Sequence, residues 1–243
     1  MASRTQRGER RTDALSKQRI VRAAIEMLDD SGEGSLTFRA LAARLSTGSG
    51  ALYWHVANKA DLLAAATNDV IVRVLPDVTR KADPREAIRA VALGVYEAID
   101  SHPWVGAQLS SSPSLAAIPE IFEAFGSRLQ ALGVPERAWF HAATTLVHYV
   151  LGAAGQNAAN ARQHVNGTDR ADVLGAVAEL WGGLDPARYS FVRRLAAELP
   201  GHDDQEQFLA GVDLILAGIE ASAGAGAAFH ADASTEAGID NAG

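Results

Sequence analysis

Leu52-Tyr53-Trp54-His55-Val56 places three large, polar-tipped aromatics side by side, directly after the small-residue run Ser46-Thr47-Gly48-Ser49-Gly50-Ala51. Three such neighbours cannot all enter one core. Those that face out carry phenol, indole and imidazole hydrogens, donors that suit the phosphate oxygens of a nucleic-acid backbone. Lys59, at the start of the next helical pattern, joins its own charge to a positive helix end and suits the same acceptors. The chemistry on offer is the gripping of a duplex.

These residues need a helical frame, and the sequence supplies one. Ser16 reads as an N-cap, after which Ile20, Val21, Ala24, Ile25, Met27 and Leu28 repeat at helical spacing until Gly32 and Gly34 break the pattern. A short second helix is expected from about Thr37 through Leu41, Ala42 and Leu45, and a third from Ala51 to Val56. Asn58 caps a fourth that runs to about Leu75, with Asp61 completing a capping-box-like pair. Leu41, Ala42, Leu45 and Leu52 lie on the inner faces, and the small Ala42 lets the two short helices cross closely. Two short helices joined by a tight turn inside such a cluster make a helix-turn-helix, which turns Gly48, Ser49, Gly50 and Ala51 toward the major groove.

The remainder also reads as helix after helix, punctuated by prolines that sit mostly at helix starts or just beyond helix ends. Alanine is abundant and no alternating strand pattern persists, so the fold class is all-α. A basic arm is expected over residues 1–14, the helix-turn-helix domain over 15–70, and a helical effector-binding and dimerisation domain over 71–221. The last helix, DQEQFLAGVDLILAGIEA, is expected to end near Ala221, with a disordered Ala/Gly/Ser-rich tail over 222–243.

Charge is distributed unevenly. The chain of 243 residues carries a net −7, yet residues 1–60 hold ten Lys/Arg against six Asp/Glu, a local balance of +4. That asymmetry suits a small nucleic-acid-facing module on an acidic body. No cysteine is present, so thiolate metal sites and disulfides are excluded. No apolar run reaches the ~18 residues a membrane span needs. A cytoplasmic protein without membrane partners is the expectation.

The run LTFRALAARL, followed by ALYWHVANKADLL, resembles the DNA-binding domain of the TetR family of bacterial repressors, closest to the tetracycline-repressor branch. FLAGVDLILAGIEA and LVHYVLG resemble later helices of the same branch more weakly. The resemblance implies an Ω-shaped homodimer on a palindromic operator in double-stranded DNA, released when a small-molecule effector binds the C-terminal body. By position, Arg39 matches a residue that reads a guanine. Ser49, Gly50 and Ala51 match base-reading positions, and Tyr53, His55 and Lys59 match backbone-facing ones. Thr37 and Gly48 join the DNA-facing set, and Trp54 matches a position that is partly packing. Ser46 and Thr47 stand where the turn usually has Gly and an apolar residue, and a left-handed non-glycine there costs roughly 1–2 kcal/mol. With short side chains at the base-reading positions, Arg39 is expected to carry much of the direct readout. Arg4, Arg7, Arg10 and Arg11 suit a minor-groove arm.

In the body, His102, Trp104, Gln108, His141, Thr144, Thr145, His148, Gln156 and Asn157 are polar or polar-tipped residues amid apolar helical segments. His141, Thr144, Thr145 and His148 recur three to four apart and share one side of a helix. All but Asn157 are taken as candidate effector-binding residues, lining a pocket that orients a mostly apolar ligand. The drug's metal-binding histidine in the tetracycline branch falls near Leu109 here, and its acidic water-shell residue falls at Gln156. A magnesium-tetracycline effector is therefore not expected. No metal or cofactor is expected, since His141 and His148 lack a third ligand at usable spacing.

Two other functional classes compete with a ligand-released repressor. An enzyme would need a nucleophile, a phosphate-binding loop or a Ser/His/Asp constellation, and STGSGAL sits between helices rather than after a strand. An architectural DNA-binding protein without an effector would be favoured by a body without a cavity. Gly152, Ala153, Gly211 and Gly218, beside bulky aliphatics on two helices, suit close packing between two copies of the chain.

Overall fold

The computed structural model describes residues 15–78, 83–112, 114–163 and 170–236; the arm expected over 1–14 and residues 237–243 lie outside them. Helices begin where the sequence supplies caps. Helix α1 (Lys17–Ser31) starts at Ser16, whose hydroxyl accepts the Arg19 N–H at 3.2 Å. It stops at Gly32, whose φ of 71° a side chain would disfavour, and a 3₁₀ turn follows over Glu33–Ser35. Thr37 caps α2 (Phe38–Arg44) by accepting the Ala40 N–H at 3.1 Å. Helix α3 spans Ser49–Tyr53. Asn58 Oδ1 accepts the Asp61 N–H at 2.8 Å and begins α4 (Lys59–Val78), while Asp61 Oδ2 reaches back to the Ala57 N–H at 3.0 Å.

The body continues as α5 (Pro84–Ser101), α6 (Pro103–Ser111), α7 (Ala117–Ala131), α8 (Glu136–Gln163), α9 (Arg170–Gly182), α10 (Ser190–Leu195) and α11 (Asp204–Glu236). Pro84 and Pro103 each open a helix, where a missing N–H costs nothing. No strand occurs among the described residues. The expected boundary at residue 70 falls inside α4, which packs on α1 and also on α5, α6 and α7. The last helix runs on to Glu236 instead of ending near Ala221, because the Ala-rich stretch after it holds no proline and alanine is the strongest helix former.

The apolar stripes of these helices meet in one continuous core. It takes Ile20, Ala24 and Leu28 from α1, Val91, Val95 and Ile99 from α5, and Ile121 and Phe125 from α7. Leu146 and Val150 come from α8, and Phe208, Val212 and Leu216 from α11. Each fully buried Leu, Ile or Phe contributes about 1.5–3 kcal/mol. Phe208 sits between two tyrosines, with ring centroids 4.6 Å from Tyr96 and 5.7 Å from Tyr149. Outside this core, Arg85 bonds both Glu220 oxygens at 2.9 Å and Arg89 bonds Asp213, so α5 and α11 are also fastened by charge. The Asp213 hydrogen bond raises the Arg89 guanidinium above its usual range.

Candidate nucleic-acid interface and effector cavity

Leu41, Ala42 and Leu52 are buried between α2 and α3, so the pair is held from within as its sequence implies. The turn between them is closed by the Ser46 N–H on Ala43 O at 3.1 Å and the Thr47 N–H on Ala42 O at 2.9 Å. That bond pattern is a Schellman motif, and it requires a left-handed residue at Ser46, whose φ is 52°. Glycine would take this conformation without cost; serine holds it under strain.

Gly48, in extended conformation, accepts the Ala51 N–H and so lets α3 start at Ser49, two residues earlier than expected. The helix ends at Tyr53 rather than Val56, and His55 and Val56 close the following turn on Leu52 O. Ser49 and Ala51 are half-buried and Gly50 is exposed. Tyr53 is 58% exposed and stacks on Phe38 at 4.6 Å, so one ring face is fixed while its hydroxyl end stands free. Trp54 is 89% exposed, which differs from the partly packing position that the resemblance implied. It follows the last residue of a five-residue helix, where no neighbouring element is close enough to cover it. His55 is half-buried. Arg39 is exposed in the first turn of α2 and makes no ion pair among the described residues. Thr37 spends its hydroxyl oxygen on the α2 cap.

Arg44, which the sequence reading did not single out, anchors this unit. Its guanidinium meets Glu26 at 2.9 Å and Asp30 at 3.5 Å on α1, and the Glu26 hydrogen bond raises it above its usual range. The carboxylates eleven and seven positions before the α2 cap were the available signal, but pairs so far apart have no sequence periodicity. Lys59 Nζ bonds the Glu33 carbonyl at 2.7 Å.

The eight expected effector residues do not converge. His102 Nδ1 and Trp104 Nε1 both lie 2.8 Å from Asp29 Oδ1 on α1, and Gln108 Nε2 lies 3.4 Å from Glu33 Oε2. These three belong to the joint between the body and the DNA-facing helices. His102 also borders a cleft of about 340 Å³ there, beside Ile25, Val70 and Glu97. His141, Thr145 and His148 lie on the exposed side of α8, and the buried Thr144 hydroxyl finds no partner among the described residues.

Gln156 alone of the eight borders a cavity of about 700 Å³ between α8, α9 and the first turns of α11. Tyr149, Asn157, Arg170, His202 and Phe208 share its wall. Asp204 joins there to Arg170 and to His202 Nε2, each at 2.8 Å. Burial pushes the Tyr149 hydroxyl above its ordinary pKa, and it donates to Phe208 O at 3.0 Å. Arg170 and His202 escaped the sequence reading because they lie outside the long apolar helical runs. Leu109, where the resemblance places the metal-binding histidine of the tetracycline branch, is buried in the core and offers no lone pair to a metal.

No helix among the described residues is long and apolar enough to cross a membrane. Residues 20–66 match the model of bacterial regulatory proteins of the tetR family, and residues 76–223 match the tetracyclin repressor-like C-terminal domain. An HTH-type transcriptional regulator of Saccharopolyspora erythraea is 30% identical over 91% of both chains. The class G tetracycline repressor protein of Vibrio anguillarum is 31% identical over 85% of this chain and 94% of its own. Among solved structures, a TetR transcriptional regulator of Streptomyces coelicolor is 50% identical, with a TM-score of 0.79 over 86% of this chain and 100% of its own. With both halves of the chain matched, the chain belongs to the TetR family of helix-turn-helix transcriptional regulators.

Proposed function

We propose that two copies of this chain bind a palindromic operator through α2 and α3 and repress transcription in the cytoplasm until a small molecule releases them, a binding function rather than a catalytic one. The observation that carries the reading is the exposed row at the end of α3, with Tyr53 steadied on Phe38 and Trp54 open to solvent. Arg39 reads a guanine by a bidentate contact, while Ser49, Gly50 and Ala51 allow close approach to base edges. Tyr53, Trp54, His55 and Lys59 hold the phosphates, and Thr37 and Gly48 place their helix starts against the same backbone.

The second copy docks on α8 and α11, where Phe140 is 74% and Leu214 76% exposed in the single chain. His141, Thr145 and His148 belong to that face. The effector occupies the cavity beside Gln156, which is large enough for a drug-sized ligand. Its wall suits a molecule with an apolar body and several hydrogen-bonding groups, facing Tyr149, Gln156 and Asn157.

Selection from a random duplex library at a fixed salt concentration tests the reading. Recovery of a palindrome with half-sites about one helical turn apart supports it. Recovery of no consensus, with binding that collapses as salt rises, would leave an architectural DNA-binding protein instead.

A further inference from the structure

Lys59 already has partners before any DNA arrives. Its Nζ donates to the Glu33 carbonyl at 2.7 Å and lies 3.7 Å from Glu33 Oε1. The other carboxylate oxygen, Oε2, accepts from Gln108 Nε2 on α6 at 3.4 Å. Glu33 belongs to neither helix. It sits in the turn after α1, between the lysine that opens α4 and the amide carried by the body.

We propose that Glu33 is a latch on Lys59, held partly open by Gln108, so that the position of α6 sets how far Lys59 is available to a DNA phosphate. This rests on the reading of Lys59 as a phosphate-facing residue. The lysine's carbonyl bond is short, while its carboxylate distance exceeds that of a charge-assisted hydrogen bond by nearly an ångström. The Gln108 amide draws the carboxylate the other way. A contact of 3.4 Å is near the limit of hydrogen bonding, so a shift of α6 by a few tenths of an ångström breaks it.

Once released, the carboxylate closes on the ammonium and neutralises it against an incoming phosphate. The start of α6 is held more firmly, by two 2.8 Å bonds from His102 and Trp104 to Asp29. Movement of α6 is therefore felt first at its far turn, where Gln108 stands. The lysine and glutamate side chains remain about half exposed, so the exchange of partners displaces no core.

Binding of the full-length protein to the duplex recovered by selection, measured by fluorescence anisotropy across a salt series, tests the latch. Gln108→Ala is expected to weaken binding about threefold to tenfold and to flatten the plot of log affinity against log salt by about one unit per bound subunit. Glu33→Gln is expected to bind at least as tightly as the parent. In the Glu33→Gln and Lys59→Ala backgrounds, Gln108→Ala should have no further effect. If Lys59→Ala leaves both affinity and slope unchanged, the phosphate reading fails and the latch with it. If Lys59→Ala weakens binding but Gln108→Ala has no effect, or has the same effect in the Glu33→Gln background, the latch is overturned while the phosphate contact stands.

Discussion

Asp29 Oδ1 on α1 accepts the Trp104 indole N–H at 2.8 Å, tying the scaffold of the DNA-facing helices to the first turn of α6. The indole is buried, so no solvent stands ready to replace the carboxylate. Asp29→Ala should cost about 1–3 kcal/mol through the orphaned donor, which corresponds to roughly 2–4 °C in Tm for each kcal/mol. Asp29→Asn keeps an acceptor and should lose less. Equal melting temperatures for the two variants by circular dichroism would show that the bond does not hold the joint.

Ser46 is the one described non-glycine residue with positive φ. Ser46→Gly relieves that strain while keeping the Schellman bonds, and it should raise stability by up to about 1 kcal/mol after the entropy glycine loses on folding. A β-branched residue there should do the reverse. Urea unfolding of Ser46→Gly and Ser46→Val gives the order of midpoints, and a less stable glycine variant would contradict the account.

Gly211 lies under the Tyr149 ring, and a Cβ added to it would stand on the tyrosine's hydroxyl and ring carbons. Gly211→Ala should therefore dislodge the ring from Phe208 O and from its stack, destabilising by roughly 1–3 kcal/mol. A Tyr149→Leu partner mutation removes the clash, so the double variant should lose less than the sum of the two single ones. Additive losses by chemical denaturation would place the cause elsewhere.

Tyr96 and Tyr149 are both raised above the ordinary tyrosine pKa of 10.0, chiefly by burial. The folded protein then keeps protons that the unfolded chain releases. Their stabilisation is full below pH 10.0 and is lost as pH rises through the higher folded values. Tyr149→Phe should make the alkaline decline of stability shallower, whatever it costs near neutrality. An unchanged slope between about pH 9.5 and 11 would contradict this sign.

Arg39 and the aromatics should separate in their effects on DNA. Arg39→Ala should lose about 1–3 kcal/mol and relax selection at one base pair in each half-site. Tyr53→Phe should weaken binding to all sequences alike, because a phosphate carries no base identity. Repeating the library selection with each variant distinguishes them, since only the first changes the recovered consensus.

The helix-turn-helix was legible because its signals are local. Ser16, Thr37 and Asn58 each cap the next helix within three residues, and Leu41, Ala42 and Leu52 are apolar residues on the facing sides of two short, adjacent helices. The strain at Ser46 was legible too, from what the turn demands of any residue there. The cavity was not. Its wall brings Gln156 together with Arg170 and His202 through the packing of three helices, and no periodicity within one helix encodes that meeting. His102 and Trp104 looked like ligand groups in isolation; their acceptor, Asp29, lies more than seventy residues away.

Helix α4 carries one more consequence. Its buried residues run from Leu62 through Ala66 and Ile71 to Leu75 without a break, and it belongs to both halves of the molecule. There is thus no severable linker at the expected boundary near residue 70. A protease acting on the native protein should not liberate a seventy-residue DNA-binding fragment, and a chimera that exchanges one half for another must rebuild a shared helix rather than rejoin two beads on a string.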